Sequence, residues 1–207
     1  LMEKNPEVMA VASHADIIDQ NDKFLGERFV PYELRKQTYS ILDRHTLLKL
    51  VFKYGNFITC PSVIARTNVY QQHIKQWNGS TYLSSADLDV WLRITEKGKI
   101  AFINRPLMHY RESTASFSFN LFQSRIKKHD LFKVLEVYIQ DPLVTEDKNI
   151  RDFYKFLKFK DISLRSYNII RNRITLPYPK YEDSVLIVFK NLLKSKFHFK
   201  FGLLSLG

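Results

Sequence analysis

Ser84-Ser-Ala-Asp87-Leu-Asp89-Val-Trp91-Leu-Arg93-Ile94, followed by Pro106-Leu-Met-His-Tyr110-Arg111-Glu-Ser113, is the stretch on which the fold turns. Ser84-x-x-Asp87 has capping-box spacing and predicts a helix through Glu96, closed by Gly98. Ile100–Ile103 and Leu107–Arg111 then read as two short strands separated by Asn104-Arg105-Pro106. A helix feeding strands in this way predicts a mixed α/β portion. The stretch also places two acids and two arginines at the ends of short elements. Buried stability rarely asks for that grouping, whereas chemistry on a phosphorylated substrate often does.

Working outward, Val8–Ile18 is rich in β-branched residues and reads as a strand entering the turn Asp19-Gln-Asn-Asp22. Asp43 is placed to cap a helix from Arg44 to Tyr54, with Leu47, Leu48, Val51 and Phe52 on its buried side and Gly55 as terminator. Phe57–Ala65 reads as a short buried strand interrupted by Pro61, and Trp77-Asn-Gly79-Ser80 as a turn. After Ser118 the texture changes. Leu131, Leu135, Tyr138 and Ile139 have helical spacing, and Asp141-Pro142 ends that helix. A second helix is predicted over Lys148–Arg171, with Phe153, Phe156, Leu157 and Tyr167 among its apolar positions. Pro177 and Pro179 precede a last helix near Glu182–Lys196. The reading is therefore an α/β portion over residues 1–116 and a basic helical extension over residues 117–207.

The charge divides at the same place. Residues 1–116 carry 15 Lys and Arg against 12 Asp and Glu, while residues 117–207 carry 17 against 9. Such an excess suits a solvated helical surface or an anionic partner. A hydrophobic content of 45% is ample for a buried core and argues against disorder. The one cysteine, Cys60, excludes an intramolecular disulfide, fits a reducing compartment and is expected to be a buried small residue. No apolar run approaches the roughly 20 residues that span a bilayer. The chain starts at Leu1 rather than Met, so it is expected to be a piece of a longer polypeptide.

Asp87-Leu-Asp89 invites a metal-site reading, but helical geometry opposes it. Positions i and i+2 lie about 200° apart around the axis and do not readily chelate one ion. Asp87, in the first turn, is instead expected to be held ionised by the helix N-terminus and aimed out of its end. A carboxylate so placed accepts a proton from a substrate hydroxyl, or else simply caps the helix. Asp89 and Arg93 stand at i and i+4, an acid-first order that supports a helix. Trp91 reads as core.

Three runs in order carry a family resemblance: Asn56-Phe-Ile-Thr-Cys60-Pro-Ser62-Val-Ile-Ala-Arg66, then Ala86–Arg93, then Pro106–Arg111. With Asn5-Pro-Glu7, Val11 and Ile18-Asp19, they resemble the second half of the family 2 inverting glycosyltransferases, over about residues 3–140. The resemblance implies an A-type nucleotide-diphospho-sugar transferase fold, here only its C-terminal part followed by a helical extension. It implies that Asp87 is the catalytic base of a single-displacement, inverting transfer. The donor would be a nucleotide sugar, and the acceptor a glycan or lipid-linked hydroxyl in surface glycan synthesis. Mg or Mn would neutralise the departing diphosphate. Arg111 would contact the diphosphate, Ser62 would line the acceptor side, Arg93 is a candidate to orient the base, and Asp89 and Arg93 are carried with them as candidate substrate- or phosphate-side residues. Some members carry a metal-binding His where Ser113 stands, which leaves His109 as a substitute metal or phosphate contact.

Residues 1–207 contain no donor-binding region with its D-x-D motif, and Asp16-Ile-Ile-Asp19 has the wrong spacing to replace it. The chain by itself is therefore expected to be inactive. The resemblance further implies a cytoplasmic enzyme, peripheral on the inner face of a membrane. Four lysines and no acids lie between Val185 and Gly207, interleaved with Phe189, Phe197, Phe199 and Phe201. That segment reads as packing against the core, as docking on anionic lipid, or, least favoured, as binding single-stranded nucleic acid. The competing overall reading is a non-catalytic basic module that tethers a partner to a membrane or an anionic polymer.

Overall fold

The computed structural model describes residues 1–112, 125 and 127–171, so the expectations for Ser113, for the helix near 182–196 and for the basic C-terminal segment lie outside the described residues. The architecture is mixed α/β. Strand β1 (Val8–Ile18) is central. It runs parallel to β5 (Lys99–Arg111) on one side and antiparallel to β2 (Phe24–Glu27) and β4 (Ile64–Ala65) on the other. β3 (Tyr39–Leu42) pairs antiparallel with the far edge of β5.

β5 corrects the expectation of two strands. It runs unbroken through Asn104-Arg105-Pro106, and the ladder to β1 steps from Ser13↔Ile103 to His14↔Pro106. The extra residues form a bulge, which is where a proline lacking an N–H is tolerated inside a strand. Asn104 is tied down there by its side chain, which donates to the Arg35 carbonyl at 3.0 Å.

The second correction concerns residues 57–65. Pro61 offers no ladder donor, and Ser62 N and Val63 N bond back to Thr59 O and Cys60 O at 2.9 and 3.2 Å. The segment becomes a 3₁₀ turn at Cys60–Ser62, leaving only the two residues of β4 extended. Cys60 is consequently exposed rather than buried.

Helix α1 (Arg44–Tyr54) forms as expected. Asp43 Oδ1 accepts from Thr46 N at 2.8 Å, and Gly55 leaves the helix at φ +83°, a conformation that favours glycine. Helices α2 (Ala86–Ile94), α3 (Leu131–Tyr138) and α4 (Lys148–Arg171) complete the core. Leu47, Leu48 and Phe52 of α1 meet Leu88 and Leu92 of α2, and Phe132 and Leu135 of α3, in one cluster. Each such side chain contributes about 1.5–3 kcal/mol on full burial. The α4 residues Ile150 and Tyr154 join the same cluster, with Tyr154 edge-on to Phe52 at 5.5 Å. The core thus runs across residue 116, where charge and texture change but packing does not. Trp91 is buried, as its helical position suggested. Phe153, Phe156 and Leu157 are only partly buried and Tyr167 is exposed, because α4 turns a different stripe to the core. Among the described residues no helix is long and apolar enough to cross a membrane.

Candidate functional site

The expected capping box at Ser84 and Asp87 does not form. Ser84 Oγ donates to Asp130 Oδ2 at 2.7 Å, so an acid 46 positions away takes the hydroxyl. Leu83, at φ +48°, turns the chain into a 3₁₀ step before α2, and Ser85 makes no side-chain cap. Asp87 is thereby left without the reciprocal Ser84 contact of a capping box. Its Oδ1 accepts from Leu88 N at 2.8 Å, and its Oδ2 accepts from Asn56 Nδ2 at 2.9 Å. Burial pushes its pKa above the ordinary carboxylate value, and these two hydrogen bonds only partly offset that. Desolvation therefore outweighs the stabilisation of charge expected from the helix N-terminus.

Asp87 forms part of the wall of a cleft of about 240 Å³. Asn56 and Ser84 flank it, Arg28 and Tyr110 enter from the sheet, and Arg125 and His129 enter from the segment before α3. The Arg28 guanidinium lies 5.0 Å from the Tyr110 ring centroid and meets no carboxylate among the described residues. Arg125 is buried. Its Nη1 donates to Asp161 Oδ1 at 2.5 Å and to Lys127 O at 2.9 Å, while Arg165 Nε holds the other Asp161 oxygen at 2.8 Å. One carboxylate of α4 thus anchors two guanidinium groups, one of them at the cleft. His129 Nδ1 accepts from Leu131 N at 3.0 Å, which puts the proton of the neutral ring on Nε2. Burial, then the nearby Arg125 charge, keeps its pKa below the ordinary histidine value. Cys60 also borders the cleft. Its thiol pKa is pushed up by partial desolvation and then by Asp87, which keeps it protonated rather than nucleophilic.

Asp89 faces the other way. It is buried, and its Oδ2 accepts from Arg93 Nε at 3.0 Å and from Asn78 Nδ2 at 3.0 Å. Arg93 also donates to Ile74 O at 2.7 Å and Gln76 O at 2.8 Å, pinning the loop before α2. This pair is engaged in structure, and Arg93 makes no contact with Asp87. Ser62 is also internally committed. Its hydroxyl donates to Thr59 O at 2.7 Å and accepts from Ser13 N at 3.2 Å, while its neighbour Pro61 borders the cleft.

Arg111 bonds Asp22 Oδ1 at 2.6 Å and Asp19 O at 2.7 Å, closing the exposed β1–β2 turn away from Asp87. His109 is exposed on β5, 4.0 Å from Asp16. The structure therefore gathers Asp87 with Arg28, Asn56, Tyr110, Arg125 and His129, and not with Asp89, Arg93, Ser62, His109 or Arg111. Asn56 opens one of the runs that carry the resemblance. Arg28, Arg125 and His129 stand in no motif, and no sequence signal marks them.

The described residues do not fit a resident Mg or Mn. Asp87 and Asp89 share no partner, Asp87 lies in a cleft lined by two arginines, and His109 meets only Asp16. No group of three or more His, Cys, Asp or Glu is placed to hold an ion among the described residues. Compared with known proteins, the chain matches no family model and no curated sequence.

Proposed function

We propose that this chain carries the acceptor-side part of an inverting glycosyltransferase of the A-type fold, acting on a nucleotide-diphospho-sugar and an acceptor hydroxyl. The observation that carries the reading is Asp87. Its carboxylate is oriented by Asn56 and by Leu88 N of the first turn of α2, raised in basicity by burial, and set in a cleft beside Arg28, Arg125 and His129. In the proposed reaction the acceptor oxygen attacks the anomeric carbon from the face opposite the nucleotide. Its proton passes to Asp87 as the new C–O bond forms and the bond to the diphosphate breaks, which inverts the anomeric centre. A base is most effective when its pKa approaches the working pH, and desolvation moves Asp87 in that direction. Arg28 and Arg125 supply positive charge beside it for an anionic part of the reacting pair. The reading carries with it a cytoplasmic donor and a glycan or lipid-linked acceptor presented at a membrane surface.

The test is Asp87→Asn in the native polypeptide that contains this sequence, assayed against a panel of nucleotide sugars. Transfer is expected to fall by about 10²–10⁴-fold with donor binding retained, the range for losing a general base. Near-normal turnover would sink the assignment.

A further inference from the structure

Beside the Asp87 cleft lies a larger groove of about 550 Å³, a volume typical of small-molecule sites. Its walls are Ile17 of β1 with Phe29, Tyr54 at the end of α1 and Phe57 in the segment after it, and Phe153, Phe156 and Leu157 from α4. These last three are apolar positions of α4 that are only partly buried. Among the described residues the groove's polar lining is Asn56 and three cations, Arg28, Lys53 and Lys160, with no carboxylate. Lys53 is neutralised by Glu33 at 2.7 Å, but Arg28 and Lys160 have no acidic partner among the described residues. Arg28 and Asn56 line both this groove and the Asp87 cleft.

We propose that the groove binds a single-chain anionic amphiphile, with an alkyl or prenyl tail between the aromatic walls and a phosphate-like head on the Arg28 guanidinium. Among the described residues, Arg28 and Lys160 leave this apolar channel with a net positive charge that repels cations, and a neutral chain finds no charged anchor in it. It suits a ligand that is apolar along its length and negative at one end. Because Arg28 and Asn56 are shared, the head lies at the mouth of the Asp87 cleft. Its use in the proposed transfer, where it would have to present an acceptor hydroxyl beside its anionic head, rests on that reading; its binding does not.

Calorimetric titration of the purified chain with decyl phosphate below its micellar concentration is the test, with 1-decanol and inorganic phosphate as comparison ligands. Saturable binding of decyl phosphate is expected, about tenfold or more tighter than either comparison ligand. Arg28→Ala is expected to remove about tenfold of the decyl phosphate affinity and leave decanol unchanged. Phe29→Ser, at a half-exposed wall position, is expected to weaken both tailed ligands. Arg28→Lys, which keeps the charge, is expected to retain part of the affinity and keeps the test readable if Arg28→Ala fails to fold.

The proposal is overturned if decyl phosphate binds no tighter than decanol, or if Arg28→Ala and Phe29→Ser both leave its affinity unchanged. It is also overturned if the chain binds only vesicles of anionic lipid and not the monomeric ligand. Asp87→Asn separates the two ideas. Decyl phosphate binding that persists in this variant while transfer stays normal sinks the catalytic role of Asp87 alone, whereas no decyl phosphate binding by the unmutated chain, with transfer to an untailed acceptor lost in Asp87→Asn, sinks the groove alone.

Discussion

Asp87 and Asp89 stand two positions apart on one helix, yet they occupy opposite kinds of environment. Asp89 is buried and held by Arg93 and Asn78, with the Tyr138 hydroxyl 3.5 Å from its other oxygen. Asp87 is partly exposed, has no cationic hydrogen-bond partner, and faces a cleft with arginines. A carboxylate whose bonds are satisfied inside the protein stabilises the fold. One left with free lone pairs in a cleft keeps its capacity for a substrate. The same helix therefore serves packing on one side and chemistry on the other.

The contrast is most sharply broken at Asp89. Asp89→Ala strands Arg93 without its buried partner and is expected to cost about 3 kcal/mol, read by urea unfolding. A loss comparable to that of an exposed ion pair would show that Asp89 is not the anchor described.

His129 tests the cleft side through pH. Its folded pKa lies below its ordinary 6.5, so below that value the unfolded chain takes up a proton that the native state resists. Stability is then complete above pH 6.5 and falls as pH drops toward the lowered folded value, by at most about 1.4 kcal/mol per unit. His129→Gln is expected to flatten this part of the profile of unfolding free energy against pH, and an unchanged slope would contradict the assignment.

Asp87 has the opposite sign. Its folded pKa is raised, so it costs stability as pH rises from its ordinary 3.8 through the folded value. Asp87→Asn removes that cost and is expected to leave stability at neutral pH unchanged or higher by up to about 1 kcal/mol, even as transfer is lost. Destabilisation as large as that of Asp89→Ala would erase the distinction between the two acids.

The smallest effect is expected at Arg111, whose partner Asp22 is exposed. Asp22→Asn, chosen because asparagine tolerates the φ of +64° at that turn, is expected to change stability by under about 0.5 kcal/mol. A larger loss in thermal unfolding would make the β1–β2 turn a structural anchor.

Local signals read well. The Asp43 cap, the Gly55 exit and the Asp89–Arg93 pair are all short-range geometry, set by neighbours within one helical turn. So is the divergence of Asp87 from Asp89, which follows from 100° per residue. Signals that depend on distant partners failed. Ser84 and Asp87 have capping spacing, but Asp130 supplied a better acceptor for Ser84. Asn104-Arg105-Pro106 looks like a break, but pairing with β1 carries β5 across it as a bulge.

By itself, then, the sequence determined the α/β class, the position and start of α1, and that two neighbouring acids point to different sides of one helix. The tertiary structure decided the rest. It brought Arg28, Asn56, Arg125 and His129 to Asp87 and placed Arg111 elsewhere. The physical reason is range. Helix periodicity and caps act over three or four residues, whereas a cleft is assembled by strand pairing and helix packing between segments dozens of residues apart, and no local pattern encodes which side chains those contacts will bring together.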